Sequence, residues 1–297
     1  PLRQELEEII CEPKAYLNEL MMDDNSGQPS AKEVFDTTPY TILVVDDNPD
    51  MTDFLKRTFE GYFKRIIIAG GGVEALQLVR SHVPDIIVSD VMMPRMNGYK
   101  LCKTIKENIN ISHIPVILLT AKDDKQSLIS GYKNGADGYL SKPFEVEMLM
   151  ELIRNRLKNR EYTKKRYLNA GLIPTPEEST ISLTDETFLI KLNSIIQENI
   201  DNTNLGIQFI CQEVGLGRSS LYNKLKALTG MGANEYISKL RIEKAITLIS
   251  GTDMPFSEIA EKTGFTTPSY FSTTFKQYTG ETPSQYKERK KKGLTDQ

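Results

Sequence analysis

From Thr41 to about Asn159 two apolar patterns take turns along the chain. Short runs of β-branched and aliphatic residues occur at Thr41–Val45, Ile66–Ile68, Asp85–Ser89, Pro115–Leu119 and Gly138–Leu140. Runs of this length predict strands buried on both faces of a parallel sheet. Between them apolar residues recur three and four apart, as helices with one buried face require. Met51, Phe54, Leu55, Thr58 and Phe59 mark the first helix, and Val73, Leu76 and Val79 the second. Tyr99, Leu101, Cys102 and Ile105 mark the third. Lys125 to Asn134 gives a weaker fourth, and Val146, Leu149, Leu152, Ile153 and Leu157 carry the fifth to about Asn159. Alternation of strand and helix with short connections implies a doubly wound parallel sheet.

The pattern changes after Gly171–Thr184, where Pro174, Pro176 and several hydroxyls read as a linker. Beyond it, residues 207–236 and 256–286 repeat one another. Ile210 matches Ile259, Cys211 matches Ala260 and Gly215 matches Gly264. After a one-residue slip, Leu221 matches Phe271, Leu225 matches Phe275, Lys226 matches Lys276 and Gly230 matches Gly280. Each copy reads as a short helix, a glycine turn, a second helix and a Thr-Gly stop, which is a helix-turn-helix pattern. The division expected is an N-terminal helical and acidic segment at 1–39, an α/β domain at 40–160 and a linker at 161–184. An all-α domain at 185–292 and a tail at 293–297 complete it.

Composition narrows the class. Of 297 residues 39% are hydrophobic and 26% charged, which excludes a disordered chain. No apolar run reaches bilayer length, so no membrane contact is expected of this segment. Cys11, Cys102 and Cys211 lie too far apart for a metal or disulfide framework and fit a reducing, cytoplasmic setting. Net charge is −3, but residues 1–39 carry 3 basic and 9 acidic residues, so the rest of the chain is slightly basic. In the repeat there is no acid between Glu213 and Glu235, where Arg218, Lys224 and Lys226 stand, nor between Glu261 and Glu281. Acid-free second helices suit a polyanion such as double-stranded DNA. The dense cations of Arg154–Arg166 read as a solvated helix face.

The strand ends carry the chemistry. Asp46-Asp47, Asp90, Thr120 and Lys142 each follow or close an apolar run. Ligand sites of open α/β sheets gather at those ends. Three carboxylates, a hydroxyl and an ammonium would converge there, a site suited to a hard divalent cation and an incoming phosphoryl group. These residues, with Asp90-Val-Met-Met-Pro-Arg-Met-Asn-Gly98, Thr120-Ala121 and Lys142-Pro143, resemble a two-component receiver domain over residues 40–158. The resemblance implies a flavodoxin-like sheet of five strands. It implies that Asp90 accepts a phosphoryl group from a sensor kinase phosphohistidine. Asp46, Asp47, Asp90 and the Met92 backbone carbonyl would serve Mg²⁺. Thr120, Lys142 and Tyr139 would act as the switch. Asn97, where Asp is commoner, is a departure outside the catalytic set.

Residues 185–292 resemble an AraC-type DNA-binding domain, through Lys244-Ala245, Glu258-Ile-Ala260, Gly264-Phe265, Ser269-Tyr-Phe271, Phe275-Lys276, Gly280, Thr282-Pro283 and Tyr286. That resemblance implies seven helices, with two helix-turn-helix units joined by a long helix at about 233–250. Ser219, Tyr222 and Asn223 would face bases from the first unit, and Ser269 and Thr273 from the second. Arg218, Lys226 and Lys276 would hold phosphates. Together the two halves imply a phosphorylation-controlled transcription regulator, homodimeric when phosphorylated and not an enzyme beyond its own aspartyl phosphate chemistry. A receiver followed by such a domain after an acidic linker also resembles hybrid two-component systems, so the chain is expected as the C-terminal part of a hybrid sensor kinase, its parent possessing the membrane anchor. A phosphatase using Asp90 needs a general acid two residues on, where Met92 stands. A scaffold whose helix pairs bind protein is the remaining competitor.

Overall fold

Each apolar run becomes one strand of a single parallel sheet. The strands are β1 (Thr41–Val45), β2 (Arg65–Ala69), β3 (Ile86–Asp90), β4 (Val116–Ala121) and β5 (Gly138–Lys142), in the order β2-β1-β3-β4-β5. Every residue of β3 is buried, as a strand paired on both edges and covered on both faces must be. The computed structural model describes residues 34–121, 135–169 and 182–293. The helical reading of the first 33 residues, the fourth helix at 125–134, residues 170–181 of the linker and the last four residues lie outside the described residues, whereas residues 161–169, expected as linker, are helical.

Helix α1 (Pro49–Phe59) starts where Asn48 accepts a hydrogen bond from the Asp50 amide and proline occupies the first turn. Its buried face is Thr52, Leu55 and Phe59; Phe54, read as part of the stripe, lies exposed on the shoulder of the helix. Helices α2 (Gly72–His82) and α3 (Gly98–Glu107) follow. Asn97 caps α3 by accepting from the Lys100 amide, so either Asn or Asp serves at that position. Helix α4 (Val146–Asn169) runs well past the Asn159 at which its apolar stripe fades. At about 1.5 Å per residue it is roughly 36 Å long.

The C-terminal region is α5 (Leu183–Glu198), α6 (Ile207–Val214), α7 (Arg218–Thr229), α8 (Ala233–Gly251), α9 (Phe256–Lys262), α10 (Pro268–Thr279) and α11 (Pro283–Gly293). These are the seven helices expected, and the repeat is visible as geometry. The turns between α6 and α7 and between α9 and α10 pass through Gly215 (φ +73°) and Gly264 (φ +74°). At Gly264 an added Cβ would also lie 2.2 Å from the Ile200 carbonyl oxygen, so no larger residue fits. Two apolar cores result. Phe188, Leu192, Ile210, Leu221, Leu225 and Tyr236 build one, and Ile259, Ala260, Phe265, Phe271 and Phe275 the other. Helix α8 joins them, giving Tyr236 and Ile237 to the first and Ile242, Ala245 and Ile249 to the second.

Candidate functional site: a carboxylate cluster and two exposed helices

The strand order reverses between β1 and β3, and the carboxylates lie at that switch point. Asp46 follows β1 and is buried to 3% exposure. Its Oδ1 accepts the Asn48 amide at 2.9 Å, and its Oδ2 accepts from Lys142 Nζ at 2.9 Å. Asp90 closes β3 and is 7% exposed. Its Oδ1 accepts from Lys142 Nζ at 2.5 Å, and its Oδ2 accepts the Met92 amide at 2.6 Å. Lys142, the last residue of β5, therefore bridges the two buried acids across the sheet. Burial works against its ammonium, but hydrogen bonds to Asp90 and Asp46 outweigh that and raise its pKa above the ordinary lysine value.

Around this bridge the remaining expected residues take distinct places. Asp47 is exposed beside Asp46. Thr120 is buried on β4, its Oγ1 making a long 3.4 Å contact with the Ala121 carbonyl, so the hydroxyl can turn to a better acceptor. Tyr139 is half-buried on β5 and packs against the sheet core. The Met92 side chain is 74% exposed and carries no acid. Gly98 closes the loop by donating to the Val91 carbonyl at 3.0 Å. A Cβ there would meet the Asp90 carbonyl oxygen at 2.3 Å, which requires glycine.

The donors fit a hard cation. Two buried carboxylates, Asp46 and Asp90, share one ammonium, Asp47 stands exposed next to Asp46, and all the candidate ligands are oxygens. No group of three or more His, Cys, Asp or Glu side chains is placed as a metal shell among the described residues. Mg²⁺ does not need one, because it takes one or two carboxylates and completes its shell with waters and phosphate oxygens. An Asp carboxylate held by an ammonium at a strand end can act as a nucleophile toward phosphorus.

At the other end of the chain α7 and α10 present matching surfaces. Arg218, Ser219, Tyr222 and Lys226 are exposed on α7, and Asn223 is half-buried beside them. Ser269, Thr273 and Lys276 are exposed on α10, which Thr267 caps and Pro268 opens. All eight candidates stand on these two helices, and seven of them are exposed. Lys224 does not join them. It is 0% exposed and ion-paired with Asp185, so its charge is not offered to DNA. The cations of Arg154–Arg166 also depart from expectation: Arg154, Arg156, Arg160, Lys164 and Arg166 are half-buried, and only Lys158 and Lys165 are exposed. Sequence reasoning missed Asp185, Ser112 and His113, which surround Lys224. One signal was present, since Lys224 falls on the apolar stripe Leu221, Leu225, Leu228 of its own helix.

A family model described as a response regulator receiver domain matches residues 42–154, and one described as a helix-turn-helix domain matches residues 210–289. Histidine kinase P4 of Formosa agariphila is 40% identical over 84% of this chain, which spans 18% of that protein. Response regulator MprA of a Mycobacterium species is 35% identical over 51% of this chain and is covered over 70% of its own length. The receiver domain of Francisella response regulator 1452 is 38% identical over 40% of this chain and 98% of its own, with a TM-score of 0.37.

Proposed function

Since this chain belongs to the response regulator family, we propose that it is a phosphorylation-controlled, sequence-specific DNA-binding transcription regulator. The observation that carries the reading is the Lys142 bridge between Asp90 and Asp46 at the switch point of the sheet. An Asp90 carboxylate oxygen attacks the phosphorus of a phosphohistidine. The P–O bond forms as the P–N bond breaks, and the leaving imidazole takes up a proton. Lys142 pairs with the incoming phosphoryl oxygens, and Thr120 turns its hydroxyl toward them. Asp46, Asp47, Asp90 and the Met92 carbonyl would hold Mg²⁺, which neutralises charge on the transferring group.

The change at Asp90 and Thr120 passes to Tyr139, and phosphorylated chains pair. Pairing brings two DNA-binding domains onto one longer operator. Asn223 reads adenine in the major groove. Arg218, Lys226 and Lys276 hold phosphates, and Ser219, Tyr222, Ser269 and Thr273 complete the contact surface. The 19 residues of α8 give about 28 Å. Successive major grooves on one face lie roughly 34 Å apart, so one protomer can serve both. The strong match to a histidine kinase, of which the chain spans 18%, supports a hybrid parent whose kinase supplies the phosphoryl group. The setting that fits is the cytoplasm.

The test is phosphorylation with a small acyl phosphate donor and Mg²⁺, read by intact mass. Wild type gains one phosphoryl group that hydroxylamine removes, and Asp90→Asn gains none. An Asp90→Asn protein labelled to the same extent defeats the assignment.

A further inference from the structure

The described residues from 36 onward form one compact unit, and the contact between its two halves is chemically specific. Helix α4 belongs to both. Leu149, Met150, Ile153 and Leu157 are buried in its first part, beside the sheet, while Tyr167 near its end lies in the same core as Phe188, Leu225 and Tyr236. Its last turn is capped from the other half: Lys239 Nζ, on α8, donates to the Leu168 carbonyl at 3.1 Å and to the Tyr167 carbonyl. Midway, Arg160 reaches in both directions. Its Nη1 donates to the Asp85 carbonyl at 3.1 Å, and its Nε makes a long contact with the Ala227 carbonyl on α7.

The second tie is a buried ionic cluster. Lys224 Nζ, on α7, donates to the Ser112 hydroxyl at 2.8 Å and to Asp185 Oδ1. The Ser112 hydroxyl donates in turn to Asp185 Oδ1 at 2.6 Å, and Ser182 holds Asp185 Oδ2 at 2.7 Å. Ser112 lies in the loop between α3 and β4, so its hydroxyl joins the receiver to the pair. Nearby, Thr184 donates to the Lys106 carbonyl, and Ile109 packs against the helical core. Lys224 and Asp185 both belong to the helical half, so the receiver's share of the cluster is the Ser112 hydroxyl, which bonds both charges at once and covers them.

We propose that the receiver loop 108–115 is a docking surface for the chain's own first helix-turn-helix unit, fastened by Lys224, Asp185 and Ser112, and that the switch works with this dock closed. The placement supports the second part. The dock lies at the amino ends of the strands, beside Asp85 and Pro115, whereas Asp90 is at the carboxyl end of β3. Five strand residues, roughly 16 Å, separate the two. Arg218, Ser219, Tyr222 and Lys226 on α7 stay exposed with the dock closed, so the dock does not cover them. Fixed in this way, α7 is carried as a rigid attachment of the receiver, and pairing of receivers sets the spacing of the reading helices. The inference rests on the functional reading above only for this consequence.

The test is calorimetry and hydrogen exchange on the whole chain, with and without beryllofluoride and Mg²⁺. Wild type should unfold in one transition, and loop 108–115 and α7 should stay protected in both conditions. Ser112→Glu places a carboxylate against Asp185. It should split the transition in two and speed exchange at least tenfold both in the loop and across the dock in α7. If Ser112→Glu does not fold, Ser112→Ala decides through the same exchange reading in α7, on the far side of the dock. Two transitions in wild type, no acceleration in α7, or loss of protection with beryllofluoride would each overturn the proposal. Exchange at residues 90–98 reports separately whether beryllofluoride engages Asp90.

Discussion

At the scale of single residues, Lys142 ties the buried Asp90 and Asp46 together. Lys142→Met leaves two buried acids without their shared cation. The expected cost is roughly 1–2 kcal/mol, reduced because the ammonium is partly in water. Mg²⁺ should restore more stability to this variant than to wild type, as melting temperatures with and without the ion would reveal. Gly98→Ala should cost about 1–3 kcal/mol in denaturant titration, because its methyl must push the Asp90 carbonyl aside. His113 supplies a pH signature. It is buried and held down to a pKa of about 3 by desolvation and by Arg160, Lys224 and Lys106, against the pull of Asp185. The unfolded chain therefore takes up the proton first. Its contribution is whole above the ordinary value of 6.5 and drains away as pH falls toward 3. His113→Gln should flatten the slope of melting temperature between pH 6.5 and 4.5; an unchanged slope would remove His113 as its source.

Among the helices, α7 and α10 were the easiest to place, because a repeat with two glycine turns leaves few alternatives. Which face each helix shows was harder to see. Counting acids and bases between Glu213 and Glu235 put Lys224 with Arg218 and Lys226. The structure turns it inward, because its partner Asp185 comes from a helix 39 residues away in sequence, where no local pattern connects them. The cations of α4 were misread for the same reason: a basic stripe looks alike whether it meets water or a second domain. The exposed residues lead to a direct expectation. Lys226→Ala and Lys276→Ala should each weaken binding similarly across sequences and lower the salt slope by about 1, whereas Asn223→Ala should relax sequence preference. Titrations of specific and mixed-sequence DNA at several salt concentrations separate the two effects.

For the molecule as a whole, the five-stranded parallel sheet, the carboxylates at its strand ends and the seven-helix region follow from local pattern together with family resemblance. The packing of the two halves does not, since Ser112, Asp185 and Lys224 meet only in three dimensions. The central claim is that phosphorylation at Asp90 controls DNA binding by residues 185–292. Fluorescence anisotropy of the whole chain against genomic DNA fragments tests it most directly, with wild type and Asp90→Ala measured with and without beryllofluoride and Mg²⁺. The account predicts that wild type tightens when beryllofluoride is added and that Asp90→Ala does not respond. Equal binding by both proteins in every condition would contradict it.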